Sequence, residues 1–291
     1  MRAFSLENLS QARSLCCGSL NPQHSVVAGK RRRPRVSTIV SRLSFVLALA
    51  AMTGAGEAQG QQASGGYLSA SDYQQLQQSF PPAPPSTSVE QQADEAGYQS
   101  SRNLVGTARG EIAAADDVYS SEEVAPRFAD ALGVTLTDQN APRFMALISA
   151  VAADAQNQVH PIKLSVADGG RHRPILDHPS LPHCPITYAG LADTGSYPSG
   201  HAELGWLWGS ILAKLASDRS AKLLARGYDF GESRLVCGFH WSSDVVSGRF
   251  AAEALLGELN TKPAFLAGLE QARQEILKAR SGANAQSDAH Q

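Results

Sequence analysis

The sequence predicts an all-α fold, a helical bundle, and three observations carry that prediction. Apolar residues recur at three- and four-residue spacing over long stretches, no stretch alternates as a half-buried strand does, and helix stops and starts separate the periodic stretches. The pattern turns helical from about Val89. Ser120-Ser121-Glu122-Glu123 has the form of a capping box ahead of Val124 to Leu132, and Gly133 supplies the stop. Asn140 to Asn157 is a long apolar-periodic run, and Ala202 to Ala216 sets Leu204, Leu207, Trp208, Ile211, Leu212 and Leu215 at helical spacing. Residues 219–226, 240–259 and 263–280 read the same way. The last two are parted by Asn260-Thr261-Lys262-Pro263, a stop followed by a proline suited to a first turn. No internal repeat is visible.

Around this bundle the chain divides into four parts. Residues 1–58 read as an export signal region: a basic cluster, Lys30-Arg31-Arg32-Arg33-Pro34-Arg35, precedes an apolar run from Leu43 to Ala51 and small residues through Ala58. That run is short for a bilayer span, and an uncleaved anchor is the alternative. Residues 59–90 are rich in Gln, Ser, Gly and Pro, and Phe80-Pro81-Pro82-Ala83-Pro84-Pro85 predicts an extended surface arm. Residues 91–280 form the helical domain, with the charges between Glu270 and Arg280 on a solvated face, and residues 281–291 are expected to be a disordered tail. A chain of 291 residues, 43% of them hydrophobic, has enough apolar content for one core of ordinary size.

Loss of residues 1–58 removes eight of the 25 Lys and Arg and two of the 27 Asp and Glu, leaving 17 against 25, a net charge of about −8. That balance argues against a nucleic-acid-binding surface and towards a soluble protein, periplasmic or secreted. Cys16 and Cys17 leave with the signal, so Cys184 and Cys237 remain, an even number suited to an oxidising compartment. Paired, they close a loop of about 50 residues, a constraint of roughly 4 kcal/mol on the chain-entropy account. The alternative is two buried free thiols.

The polar motifs gather around a long loop, residues 168–199, and the two helical stretches after it. Pro198-Ser199-Gly200-His201 immediately precedes a strongly periodic helix, where backbone N–H groups and the Ser199 hydroxyl favour an anion such as phosphate, although Ser-Gly is also an ordinary cap. Arg173 and Arg234 offer bidentate contacts to phosphate oxygens, and His201 and His240 offer the acid and the nucleophile of a two-step displacement. On a helix, His240 and Asp244 share a face, so the carboxylate accepts from one imidazole nitrogen and leaves the other free to attack. His172, His178, His183 and Cys184 fit no usual zinc spacing.

Arg171-His172-Arg173-Pro174, Ser196-Tyr197-Pro198-Ser199-Gly200-His201 and Ser233-Arg234-x5-His240-x3-Asp244 resemble the three signature blocks of the type 2 phosphatidic acid phosphatase superfamily. Within it the chain is most similar to secreted bacterial class A non-specific acid phosphatases. The likeness runs from roughly Tyr73 to Leu277 and takes in Gly106-Thr107-x-Arg109, Asp116-Asp117-x-Tyr119-Ser120, Cys237-Gly238-x-His240-Trp241 and Asn260-x-x-Pro263-Ala264-Phe265. The second and third blocks match in full. The first departs: the family's lysine stands seven positions before the arginine of the Arg-Pro pair, which here is Val166, whereas Lys163 stands ten before Arg173, as if three residues around Asp168-Gly169-Gly170 were inserted.

The resemblance implies an all-α bundle of that superfamily's kind and a broad-specificity acid phosphatase acting on small phosphate monoesters. His240 would form a phosphohistidine with Asp244 orienting it, and His201 would protonate the leaving alcohol and then activate water. Lys163, Arg173, Ser199, Gly200 and Arg234 would hold the phosphoryl oxygens, with Arg171 as the alternative source of the lysine's charge. This scheme requires no metal and no cofactor. The resemblance also implies some capacity for phosphotransfer and a possible homo-oligomer. Its rivals are a vanadate-dependent haloperoxidase using the same cage, a membrane lipid phosphate phosphatase, and an exported phosphate-binding protein without turnover.

Overall fold

The computed structural model of the protein describes residues 65–288. The expected export signal and the last three residues of the expected tail lie outside them. Among the described residues the elements are helical, and the one β-type pairing is an isolated antiparallel bridge between Ser165 and Thr194. No helix among them is long and apolar enough to cross a membrane.

In chain order the helices are α1 (Ala70–Gln78), α2 (Val89–Ser101), α3 (Ala108–Ala115), α4 (Ser121–Val124), α5 (Ala129–Leu132), α6 (Pro142–Val159), α7 (Pro174–Asp177), α8 (Gly200–Leu215), α9 (Ser220–Cys237), α10 (Ser242–Leu259) and α11 (Pro263–Asp288). The apolar periodicity of α8 explains its central place. Leu204, Leu207, Trp208, Ile211, Leu212 and Leu215 are all buried, against Phe144 and Ile148 of α6, Leu223 and Phe230 of α9, Leu255 of α10 and Leu269 of α11. Trp208 lies 5.6 Å from the Phe128 ring, stacked, and 5.4 Å from Phe144, edge-on. The capping box at Ser120 forms in both directions, Glu123 N–H to Ser120 Oγ at 3.3 Å and Ser120 N–H to Glu123 Oε2 at 3.3 Å, and Gly133 closes α5 in the left-handed region at φ 87°.

Four boundaries differ from the sequence expectation. The stretch expected at 219–226 continues to Cys237, because Gly227 is a contact point rather than a stop: a Cβ there would lie 2.7 Å from the Gly205 carbonyl oxygen and 3.1 Å from the Gly209 Cα of α8. The helix expected from His240 begins at Ser242, so His240 sits in the turn that precedes α10 and the helical i, i+4 argument for its pairing with Asp244 does not apply. The expected arm contains a full helix, α1, and α11 runs to Asp288, past the boundary expected at 280.

Segment 66–85 is fastened to the bundle by specific bonds. Buried Asp154 of α6 accepts from the Tyr67 N–H at 2.9 Å, the Leu68 N–H at 3.2 Å and the Tyr73 hydroxyl at 2.5 Å. Further on, the Tyr197 hydroxyl donates to the Pro81 carbonyl at 2.8 Å, and Phe80 packs on Tyr197 and Phe250. Cys184 and Cys237 are disulfide-bonded, at a sequence separation of 53, which ties the long loop to the end of α9. Arg102 secures the same end: its guanidinium donates to the Leu235, Val236 and Pro182 carbonyls, the placement a cation favours at a helix C-terminus.

Two stability outcomes are expected. Asp154→Ala leaves two backbone donors and a phenol unsatisfied in a buried setting and should lower the urea unfolding free energy by about 3 kcal/mol. Joint replacement of Cys184 and Cys237 by Ala should lower it by up to about 4 kcal/mol. A loss under about 0.5 kcal/mol in either case contradicts the corresponding account.

Candidate active site

The polar residues singled out in the sequence converge on one cavity of about 510 Å³, lined among others by Lys163, Arg173, Gly200, His201, Arg234 and His240. Each reaches it from a different element. Lys163 follows α6, Arg173 caps α7, Gly200 and His201 open α8, Arg234 lies in the last turn of α9, and His240 occupies the turn between α9 and α10.

His240 is 3% exposed, and both ring nitrogens have defined neighbours. Arg173 Nη1 lies 3.0 Å from Nε2. A guanidinium only donates, so Nε2 is the acceptor and the ring proton belongs on Nδ1. Nδ1 faces Asp244 Oδ2 at 3.5 Å. Asp244 is itself fixed: Oδ2 accepts from the Trp241 N–H at 2.8 Å and from the Ser196 hydroxyl, and Oδ1 accepts from Arg171 Nη1 at 2.6 Å. Arg171 therefore stands behind His240 rather than among the cavity's cations. Its Nη2 donates to Asp94 Oδ2 at 2.6 Å, and Asp94 in turn takes the Ser243 N–H at 2.9 Å.

Arg173 spends all its donors on the protein. Nε reaches the Leu191 and Thr194 carbonyls at 3.1 Å each, Nη1 the Phe239 carbonyl at 3.0 Å besides His240, and Nη2 the Thr194 hydroxyl at 3.1 Å and the Gly195 carbonyl at 3.2 Å. Lys163 Nζ donates to the same Gly195 carbonyl at 3.1 Å and to that of Ser196 at 3.3 Å. The three extra residues between the two cations are absorbed in a self-bonded turn. Gly170 N–H donates to the Ser165 carbonyl at 2.8 Å, Ser165 Oγ to Asp168 Oδ2 at 2.6 Å, and Gly169 takes φ 85°. Lys163 and Arg173 thus meet at one oxygen despite their wider spacing. Ser199 is the N-cap of α8, and its buried hydroxyl accepts from the Ala202 N–H at 3.3 Å instead of lining the cavity.

Arg234 is 2% exposed; its Nη1 lies 3.0 Å from Asp117 Oδ1, its Nε has no protein hydrogen bond, and its guanidinium carbon stands 4.8 Å from the Phe239 ring centroid. The same Asp117 Oδ1 lies 3.4 Å from His201 Nε2, and Oδ2 accepts from the Thr187 hydroxyl at 2.6 Å. Asp117 was not assigned a role from the sequence. It lies 84 residues before His201 with no spacing rule to connect them, and only its place beside Asp116 in the family-like segment drew notice. Asp116 faces the other way, to Arg226 and the Ser233 hydroxyl, and so fixes the register between the end of α3 and α9. Glu203 has no sequence signal either. It is fully buried one turn into α8, neither carboxyl oxygen has a hydrogen-bond partner, and burial pushes its pKa well above the usual carboxylate range while Lys163 opposes that shift.

The electrostatics follow from crowding buried cations together. Burial, then Arg173, holds the Lys163 ammonium down to about 7. Burial holds His201 and His240 well below the ordinary histidine value, with Arg234 the next cause at His201 and Arg173 at His240. A cavity with this surplus of positive charge suits an anion. The histidines considered for zinc lie elsewhere: His172 faces Asp177, His178 faces Glu95, His183 meets the Cys184 carbonyl, and Cys184 is in the disulfide.

Comparison with known proteins gives the same direction. Residues 143–261 match the PAP2 superfamily. The chain is 33% identical over 199 residues to the non-specific acid phosphatase of Providencia stuartii, covering 68% of this chain and 79% of that protein. It is 34% identical over 207 residues to the acid phosphatase of Zymomonas mobilis, covering 71% and 77%, and 29% identical over 197 residues to the non-specific acid phosphatase of Salmonella typhimurium, covering 68% and 78%.

The charge crowding has a measurable consequence. With folded-state values depressed, the unfolded chain binds protons that the folded site refuses, so stability rises with pH across the shifted range. Lys163 loses its contribution as pH falls from 10.5 to about 7, and the histidines lose theirs below 6.5. The melting temperature of the ligand-free protein should fall between about pH 7.5 and pH 5.5, and added inorganic phosphate should recover part of that fall. A melting temperature indifferent to both pH and phosphate contradicts the assignment.

Proposed function

Because the chain belongs to the non-specific acid phosphatases of the PAP2 superfamily, it hydrolyses phosphate monoesters, and we propose that it does so through a covalent phosphohistidine on His240. The observation that carries this reading is the contact of Arg173 Nη1 with His240 Nε2 at 3.0 Å, which fixes the tautomer whose lone pair faces the cavity. Lys163, Arg173, Arg234 and the Gly200 N–H at the start of α8 receive the phosphoryl oxygens, and the bound anion takes over donors that Arg173 otherwise lends to His240. In the first step the Nε2–P bond forms as the P–O bond to the leaving group breaks, and the His201 proton passes to that oxygen. In the second, water attacks phosphorus, His201 takes its proton and the Nε2–P bond breaks. Asp244 steadies the Nδ1 proton as positive charge develops on His240, while Asp117 does the same for protonated His201.

Acidic conditions follow from this scheme. His201 must carry a proton when the leaving group departs, and its environment delays that protonation until the pH is below its ordinary 6.5. The breadth of the cavity supports wide acceptance of leaving groups, and the Cys184–Cys237 bond together with the signal-like segment supports a periplasmic or secreted location.

His240→Ala should reduce kcat/KM toward an aryl phosphate at least ~10³-fold and abolish acid-labile labelling by phosphate ester, and His201→Ala should lower kcat most for substrates with poor leaving groups. In the unmodified enzyme kcat/KM should decline as pH rises above 6.5. Wild-type turnover by His240→Ala, or no phosphohistidine on rapid acid-free quenching, sinks the covalent route.

A further inference from the structure

We infer that Tyr119 is a phosphate-binding residue, its hydroxyl donating to a non-bridging phosphoryl oxygen held at the N-terminus of α8. The inference rests on the proposed phosphoryl-transfer reading of the cavity and adds a donor to it that none of the cationic or histidine motifs contains.

Three geometric facts place the hydroxyl. A Cβ built on Gly200 would lie 2.3 Å from Tyr119 Oη, so the phenol oxygen rests against the first residue of α8, where the backbone N–H groups that receive an anion are found. The ring meets His201 edge-on with centroids 4.5 Å apart, on the cavity wall shared with Asp117, Arg173 and Arg234. The backbone around Tyr119 is fixed on both sides, by Asp116 and Asp117 on Arg226, Ser233 and Arg234, and by Ser120 in the capping box of α4. The side chain is therefore presented rather than free to search.

The hydroxyl is also chemically available. No protein hydrogen bond occupies it among the described residues, and Tyr119 lines the cavity while 39% exposed. Burial raises its pKa to about 12, so it remains a proton donor throughout the range in which the histidines work. An anion lying on the Gly200 N–H comes within reach of a donor seated on the Gly200 Cα. Gly200 is required by the same geometry: any side chain there meets the phenol oxygen.

Tyr119→Phe removes the oxygen and keeps the ring against His201. Two quantities decide the matter: kcat/KM for an aryl phosphate and the inhibition constant of inorganic phosphate, with the melting temperature as a check that the variant folds. Loss of one hydrogen bond to a charged oxygen should lower kcat/KM by ~10-fold and raise the inhibition constant by a similar factor. Values within twofold of wild type for both overturn the inference, as does a fall in kcat/KM with phosphate inhibition unchanged, since the hydroxyl then serves the leaving group instead. His240→Ala measured beside it separates the two readings: wild-type turnover by that variant overturns the phosphohistidine route, while phosphate inhibition of Tyr119→Phe still decides the tyrosine.

Discussion

Holding three buried cations, Lys163, Arg173 and Arg234, around one cavity is the constraint on which the rest of the structure depends. Buried like charges repel strongly and each loses its hydration, so they persist only where fixed acceptors replace the water. The protein supplies those acceptors mainly as backbone carbonyls. Leu191, Thr194, Gly195, Ser196 and Phe239 turn theirs toward Lys163 or Arg173, which is possible because the segments around residues 191–196 and 238–240 are irregular and their carbonyls are not committed to helices. The long loop is thus the solvent shell of the site, made of peptide.

Such a shell must not relax, and the surrounding bonds answer that need. The disulfide to Cys237 and Arg102 on the α9 carbonyls hold the loop against the end of α9, while the Ser165–Thr194 bridge joins the Lys163 segment to the Gly195 segment. Carboxylates complete the balance at two points. Asp117 stands between Arg234 and His201, and Asp244 stands between Arg171 and His240, so each histidine has one acid neighbour and each acid has one arginine. Glu203 lies outside this arrangement. Buried with no hydrogen-bond partner, it is held in its neutral form, and the charge of Lys163 is what opposes that state.

Burial and the neighbouring cations make His201, His240 and Lys163 bind protons reluctantly, and in the proposed scheme the negative charge of a phosphate ester favours protonation of His201. In that scheme binding and general-acid chemistry are coupled through one electrostatic field.

The sequence by itself determined the helical class, the apolar helical stripe from Leu204 to Leu215, the capping box at Ser120 and the group of Arg173, His201, Arg234 and His240, because helical periodicity and short motifs are local signals. It misjudged Gly227, His240 and the arm before residue 90, where a glycine, a turn and a polar composition acquire meaning only from what packs against them. Tertiary structure alone decided that Lys163 reaches Gly195 across an inserted turn, that Arg171 serves Asp244 rather than the cavity, and that Asp117 and Tyr119 line the cavity. Those residues meet their partners from across the fold, and no spacing along a chain encodes a distance that folding creates.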